Sequence, residues 1–256
     1  MLIFPTPKLS PFTGMVGYGG GASGLNIFAG GIPKLPTTAN YDSDKSLGND
    51  DFCLEFFFRA TGTSQQCMAG YANDTPILEI DQTAPRVYCG TNGFTGSAGF
   101  DFHSGSVSAN TWYHYAFVRD DGANNNADER NTGYFNGAKF GTQTRSGDYT
   151  NEQLTIGARG NATVPFTGWI SNLRLTIGIS RYGYTSNYTV PSLPLSVDSN
   201  TVLYCCNHPN PGDAQFNGGT VQLDVTGNPQ VVTNQLPTGA DYAVYFDGND
   251  YLRTPT

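Results

Sequence analysis

Apolar and polar residues alternate one for one along most of this chain, in short runs closed by Gly, Asn or Asp. In DFCLEFFFR, Phe52, Leu54, Phe56 and Phe58 fall on one face and Cys53, Glu55, Phe57 and Arg59 on the other. A period of two marks a strand half buried in a core. The same rhythm predicts strands over Gln66–Tyr71, Pro76–Asp81, Arg86–Gly90, Trp112–Arg119, Gly133–Phe140 and Leu154–Ala158. It continues over Gly168–Ile177, Thr201–Cys206, Thr220–Val225 and Tyr242–Asp247. No apolar period of 3.6 residues is sustained anywhere. Many short strands at this spacing predict an all-β, two-sheet antiparallel sandwich. Trp112, Phe117, Phe135, Trp169, Leu173 and Leu175 are the expected fillers of its core.

Residues 1–40 break the pattern. They combine Gly-rich stretches (GYGGGASG, AGG) and Pro5, Pro7, Pro11, Pro33 and Pro36 with scattered large apolar side chains. A plain linker has no use for Leu2, Ile3, Phe4, Phe12, Leu25, Ile27 and Phe28. The expectation is an extended N-terminal arm (1–40) that orders against its own domain or a neighbouring subunit, and a sandwich over 41–256.

Composition narrows the function more than it defines it. Of 256 residues, 13% are charged and 13% aromatic, with 32 Gly: a turn-rich, aromatic-rich β composition. A net charge of −8 argues against nucleic acid, whose phosphates demand Lys and Arg. No apolar run approaches the roughly 20 residues of a spanning helix, so no membrane partner is expected. MLIFPTPKLSPF lacks a basic start and is broken by prolines, which predicts no secretory signal. The five cysteines (Cys53, Cys67, Cys89, Cys205, Cys206) form no CxxC. Adjacent strand residues point to opposite faces, so Cys205 and Cys206 are not expected to share a metal. Reduced, buried thiols are the expected state.

The strand series also resembles a family. WYHYAFVR followed by GYFNG resembles the W-H-x-A-x-x-R and Y-x-N-G core of laminin-G-like, concanavalin A-like jelly rolls. DFCLEFFFR is similar to that family's D-F-T-I-E-F-W strand, and LTIGARG with FTGWISNLRLT to its I-G and F-x-G-x-I-S-N-x-R pair. RYGYTSNYTVPSLPL, TVLYCCN and DVTGNPQV resemble segments of this domain in tailed-phage structural proteins. The resemblance covers roughly residues 40–235 and implies the fold, which hosts lectins, glycosidases, adhesion modules and inert scaffolds alike. The family's usual opening strand, of the type V-Y-F-D-G-x-x-D-Y-L, stands here at the end, in AVYFDGNDYLRTPT. The resemblance therefore implies a permuted sandwich whose displaced first strand lies in 241–256. Val244, Tyr245, Phe246, Tyr251 and Leu252 are then the residues of strand closure or of exchange with a neighbour; a truncated second repeat is the third option. Closure within one chain is favoured, because chain ends lie close together at a domain surface.

Candidate chemistry is thin. Glu79 and Asp81 would share a strand face, as a glycosidase pair needs, but Thr83 stands where the related signature has a third acid. Two solvated surface acids are the simpler account. His103, His114 and His208 have no metal-type spacing, and His114 is expected as a structural histidine. DDGANNNADER (120–130) reads as an exposed hairpin loop rather than a calcium site. Tyr182, Tyr184, Asn187 and Tyr188 are the candidate glycan-binding residues, although the family pattern packs this segment along the sandwich flank. No catalytic residue, metal or cofactor is expected. Arm and resemblance together imply a non-enzymatic phage virion structural protein, a capsid decoration or cement protein assembled in the host cytoplasm. Its partners would be other virion proteins (the major capsid protein or a tail component), in a homo-oligomer or on a lattice. The alternative is a glycan-binding adhesion module of a tail or head fibre, with surface polysaccharide as partner; a glucanase-like glycosidase comes third.

Overall fold

Two antiparallel sheets face each other in a computed structural model that describes residues 47–48, 50–71, 76–90, 99–120, 130–144, 149, 153–216 and 219–255. The described residues contain no helix. The larger sheet runs β13 (Gly219–Gln222), β12 (Asp213–Phe216), β11 (Thr201–Cys205), β10 (Thr167–Ile177), β1 (Phe52–Ala60), β6 (Trp112–Asp120), β7 (Arg130–Phe135) and β8 (Ala138–Thr144). Next to β11, β16 (Ala243–Asp247) also pairs with β10, and β15 (Gln230–Val232) pairs with β16. The smaller sheet runs β14 (Asp224–Thr226), β17 (Tyr251–Arg253), β9 (Leu154–Ile156), β2 (Gln66–Tyr71), β3 (Ile77–Asp81), β4 (Ala84–Cys89) and β5 (Phe100–His103).

Alternation decides what lies between the sheets. Phe52, Leu54, Phe56 and Phe58 of β1, Tyr115 and Phe117 of β6, and Ile170, Leu173 and Leu175 of β10 point inward. They meet Met68, Leu78, Ile80, Val87 and Ile156 of the smaller sheet in one cluster. Each fully buried side chain of this kind contributes about 1.5–3 kcal/mol. Two expected core residues lie elsewhere. Trp112 and Trp169 fall on the outer face of the larger sheet, because each sits one residue out of phase with its inward neighbours Tyr113 and Ile170. Alternation places them there once strand register is known.

Turn chemistry corrects one boundary. The segment read as one strand over 133–140 is a hairpin, β7 turning into β8 at Asn136-Gly137. Both residues have positive φ (48° and 74°), the type I′ geometry that Asn-Gly favours. Gly137 is also required by proximity: a Cβ there would lie 2.1 Å from the Tyr188 carbonyl oxygen. Pro85 sits inside β4 opposite Ile80.

The edge of β10 is forked. Its first half, Thr167–Ile170, pairs with β16, and its second, Leu173–Thr176, with β11. Ser171 and Asn172 lie at the branch, and β1 carries a bulge opposite, between Glu55 and Phe57. Asn172 is buried with φ 52°, a left-handed conformation that Asn tolerates better than most residues. Its N–H donates to the Cys206 carbonyl (3.2 Å), and its Oδ1 accepts from the Leu195 N–H (3.4 Å) and the Tyr204 hydroxyl. Ser171 Oγ donates to the Tyr242 carbonyl at 2.7 Å, just before β16. The Ser171 hydroxyl and the Asn172 main-chain N–H thus satisfy carbonyls beside both diverging strands.

The C-terminal segment enters both sheets. β16 pairs with β10, and β17 bridges β9 and β14. Phe246 is fully buried against Phe166, ring centroids 6.4 Å apart. Gly157 makes room for it: a Cβ there would meet the Phe246 ring at 2.5 Å. Deleting residues 241–256 is expected to lower the Tm sharply, and an unchanged melt would contradict closure within the chain. Phe246→Ala is expected to cost about 3–5 kcal/mol in urea unfolding, as for other buried Phe truncations.

Candidate functional site

The outer face of the larger sheet is divided into a covered end and an open end. The covering segment, residues 178–197, is fixed by a buried carboxylate. Glu55 is fully buried, and Arg174 donates to its Oε1 through Nε (3.0 Å) and Nη2 (2.5 Å). Its Oε2 takes His114 Nε2 at 3.1 Å and the Tyr182 hydroxyl at 2.6 Å. Tyr188 bonds the other His114 nitrogen, Nδ1, at 2.9 Å, and its ring stacks on Tyr182, centroids 3.7 Å apart. Burial alone would push the Glu55 carboxyl up; the His114 hydrogen bond and the Arg174 charge outweigh it and hold Glu55 below the ordinary glutamate range. Burial, and next the Glu55 charge, push the Tyr182 hydroxyl well up, so it stays a donor.

The expected glycan-contact residues occupy this covering segment. Tyr182 and Tyr188 are engaged in the network. Tyr184 lies under the Arg130 guanidinium at 5.5 Å, and Asn187 Oδ1 accepts from the Lys139 N–H at 3.0 Å. The arm residues Leu2, Ile3, Phe4, Phe12, Leu25, Ile27 and Phe28, and loop residues 121–129, lie outside the described residues.

Open aromatic surface stands at the other end of the same face. Strand register aligns Trp112 (β6), Arg59 (β1), Trp169 (β10), Tyr245 (β16) and Gln230 (β15) in one row. Four inter-strand steps make it roughly 19 Å long. The Arg59 guanidinium lies 4.7 Å from the Trp169 ring centroid, and Trp169 lies 4.9 Å from Tyr245. Trp112, Arg59, Trp169 and Tyr245 are half-buried, and Gln230 is exposed. At the Trp112 end the row opens into a cleft of about 360 Å³, within the range of small-molecule sites. Phe57 and Trp112 line it with Val190, Pro191, Leu193 and Pro237, and Asn136 and Thr238 add polar groups. The 235–238 loop is tied down from below: Trp112 Nε1 donates to the Gln235 carbonyl at 2.8 Å, and Arg59 Nη1 to Gln235 Oε1 at 2.5 Å. Tyr245, expected only as a closure residue, thus also contributes to a surface. The alternating pattern puts each of these residues on the outer face; only register puts them in a row.

The acidic pair is not a solvated one. Glu79 is fully buried, within 2.7 Å of Arg86 and 2.9 Å of Arg159. Asp81 meets Arg86 at 2.9 Å, and Arg86 also grips Asp101 through two nitrogens. That grip holds the Asp101 carboxyl below its ordinary value. The expectation of two solvated acids fails because Arg86 of β4 and Arg159, just beyond β9, both reach Glu79. The cysteine geometry also differs from expectation. Cys206 follows β11 with φ 59°, which turns it into the same core cluster as Cys205, the sulfurs 3.9 Å apart. Every cysteine is buried and free. Among the described residues no group of His, Cys, Asp and Glu is arranged to hold a metal.

Among the described residues, fold and faces define a two-sheet jelly-roll sandwich with an aromatic row on the outer face of the larger sheet. Residues 37–176 match the laminin G family model of the concanavalin A-like lectin/glucanases superfamily, and the chain belongs to that family. No curated protein matches the chain. Among solved structures it is similar to a candidate carbohydrate binding protein from Bacteroides ovatus (16% identity, 68% of this chain and 51% of that one, TM-score 0.47). It is also similar to domain 4 of AbnA, a GH43 extracellular arabinanase from Geobacillus stearothermophilus, in complex with arabinotriose (16% identity, 50% and 60%, TM-score 0.38). A third is the LG4-5 pair of mouse laminin alpha1 (14% identity, 57% and 42%, TM-score 0.40). The chain thus spans about half the length of the first of these.

The covered end yields a pH prediction. A depressed carboxylate stabilises the fold above its unfolded pKa of about 4.3 and loses that contribution as pH falls through the lower folded value. Glu55→Gln leaves Arg174 buried without its counter-charge and is expected to cost about 3 kcal/mol or more at neutral pH. Urea unfolding at pH 7 and pH 3 should show the gap between wild type and variant narrowing in acid.

Proposed function

We propose that this chain is a non-catalytic carbohydrate-binding module, with the outer face of its larger sheet as the binding face. The observation that carries this reading is the row Trp112–Arg59–Trp169–Tyr245 beside an open cleft. Indole and phenol rings supply flat apolar area with little rotamer freedom to lose. Sugar rings present matching apolar C–H faces, and Asn136, Thr238 and Gln230 stand where hydroxyl groups would need partners. Trp169 and Tyr245 lie beyond the covering segment, while the Gln235 loop rests on Trp112 and Arg59. The carboxylates of Glu79 and Asp81 each face arginine, which supports binding rather than hydrolysis; a glycosidase acid has to be free to give and take a proton.

Affinity electrophoresis through gels containing a panel of neutral and acidic polysaccharides tests this. Wild type should be retarded by at least one polymer, and Trp169→Ala and Tyr245→Ala should abolish that retardation with circular dichroism unchanged. Undiminished retardation of both variants would place binding elsewhere.

The apolar arm supports a second, compatible reading about where the module works. We propose that residues 1–40 attach it to a larger assembly such as a virion, since Leu2, Ile3, Phe4, Phe12, Leu25, Ile27 and Phe28 call for burial. Removing residues 1–36 should leave polysaccharide binding intact and abolish particle attachment; retained attachment would refute the role of the arm.

A further inference from the structure

Arg59 lies between Trp112 and Trp169 in the row, and among the described residues no carboxylate answers its charge. Arg86, Arg159, Arg174 and Arg181 each meet a carboxylate within 3 Å. Among the described residues no acidic side chain approaches Arg59 to salt-bridge distance. Its neighbours are neutral: Nε donates to the Asn110 carbonyl at 3.0 Å, and Nη1 to Gln235 Oε1 at 2.5 Å. A guanidinium carries five N–H donors, so three remain uncommitted, all on the two terminal nitrogens. The Trp169 ring below and these two hydrogen bonds hold the plane of the group fixed. Pre-orientation of this kind lowers the entropic cost of a two-point contact.

Resting on the glycan-binding reading above, we propose that Arg59 selects an acidic polysaccharide, taking the carboxylate of a uronic acid residue while Trp169 and Trp112 take the flanking sugar faces. A planar carboxylate fits the free edge of a guanidinium through two parallel N–H···O contacts. The net charge of −8 is no obstacle at this point of the surface, because Coulombic effects beyond about 10 Å are screened at ordinary salt. The polymer is then read by one charged contact between apolar ones, so its affinity should fall only modestly with salt. An electrostatic groove of many lysines and arginines would lose it steeply.

Wild-type protein is titrated with polygalacturonate, with the same polymer fully methyl-esterified, and with dextran sulfate, and the first titration is repeated with Arg59→Gln and Arg59→Lys. The expected result is binding to polygalacturonate that weakens about tenfold or more on esterification and on Arg59→Gln, with Arg59→Lys intermediate. Equal affinity for the acid and ester forms would overturn the assignment and leave the carbohydrate-binding reading standing. So would binding confined to dextran sulfate, which identifies a sulfate site. Binding to no polysaccharide, neutral ones included, would overturn both. The ester comparison uses wild type alone, so it decides the matter even if a variant folds poorly.

Discussion

Two strands cannot share one edge of a third unless the backbone at the branch finds other partners, and Ser171 and Asn172 meet that requirement. β10 gives its first half to β16 and its second to β11. Asn172 turns through a left-handed conformation at the junction and bonds the ends of the segments it separates. Without this branch the C-terminal strand has no place in the larger sheet. Phe246 would then leave the core, and Tyr245 would leave the row it forms with Trp169. A polar pair inside a strand, in surroundings where an unpaired amide costs about 1–3 kcal/mol, is therefore what joins the C-terminal strand to the open surface.

The outer face of the larger sheet is built from two kinds of interaction. At one end a buried ion pair, Glu55 with Arg174, gathers His114, Tyr182 and Tyr188 and holds the 178–197 segment against the sheet. There Glu55 is met by Arg174, His114 and Tyr182 together. At the other end the side chains are as large but are satisfied differently. Trp169 packs tilted against Tyr245 and under the Arg59 guanidinium, which a carbonyl and an amide hold with no acid nearby among the described residues. The cleft lies at the boundary, its walls contributed by Val190, Pro191 and Leu193 of the covering segment and by Leu236 and Pro237 of the loop that Trp112 and Arg59 anchor.

Alternation in DFCLEFFFR and WYHYAFVRD was enough to place Phe52, Leu54, Phe56, Phe58 and Phe117 in the core and Glu55 and His114 on the opposite face. The ISN segment was legible as a family motif but not as a fork, because nothing local shows that one edge carries two partners. The Asn136-Gly137 turn was a readable signal, hidden inside what looked like one continuous strand. The burial of Glu79 is not legible locally, because its arginines come from β4 and from residues beyond β9, and sequence separation conceals such pairing. The row escaped for the same reason: Arg59, Trp112, Trp169 and Tyr245 are scattered over nearly two hundred positions, and only the register of four strands brings them together.

The account stands or falls on where a sugar touches this chain, and the sequence offers a clean reporter because it contains only two tryptophans, Trp112 and Trp169. Each indole N–H gives one resolved signal in a ¹H–¹⁵N spectrum, so a titration with oligogalacturonides reads both ends of the row at once. The account predicts that both signals move, Trp169 the more, since Trp112 Nε1 is already bonded to Gln235. Saturable binding that leaves both indole signals in place, with shifts gathered instead on the smaller sheet, would contradict it.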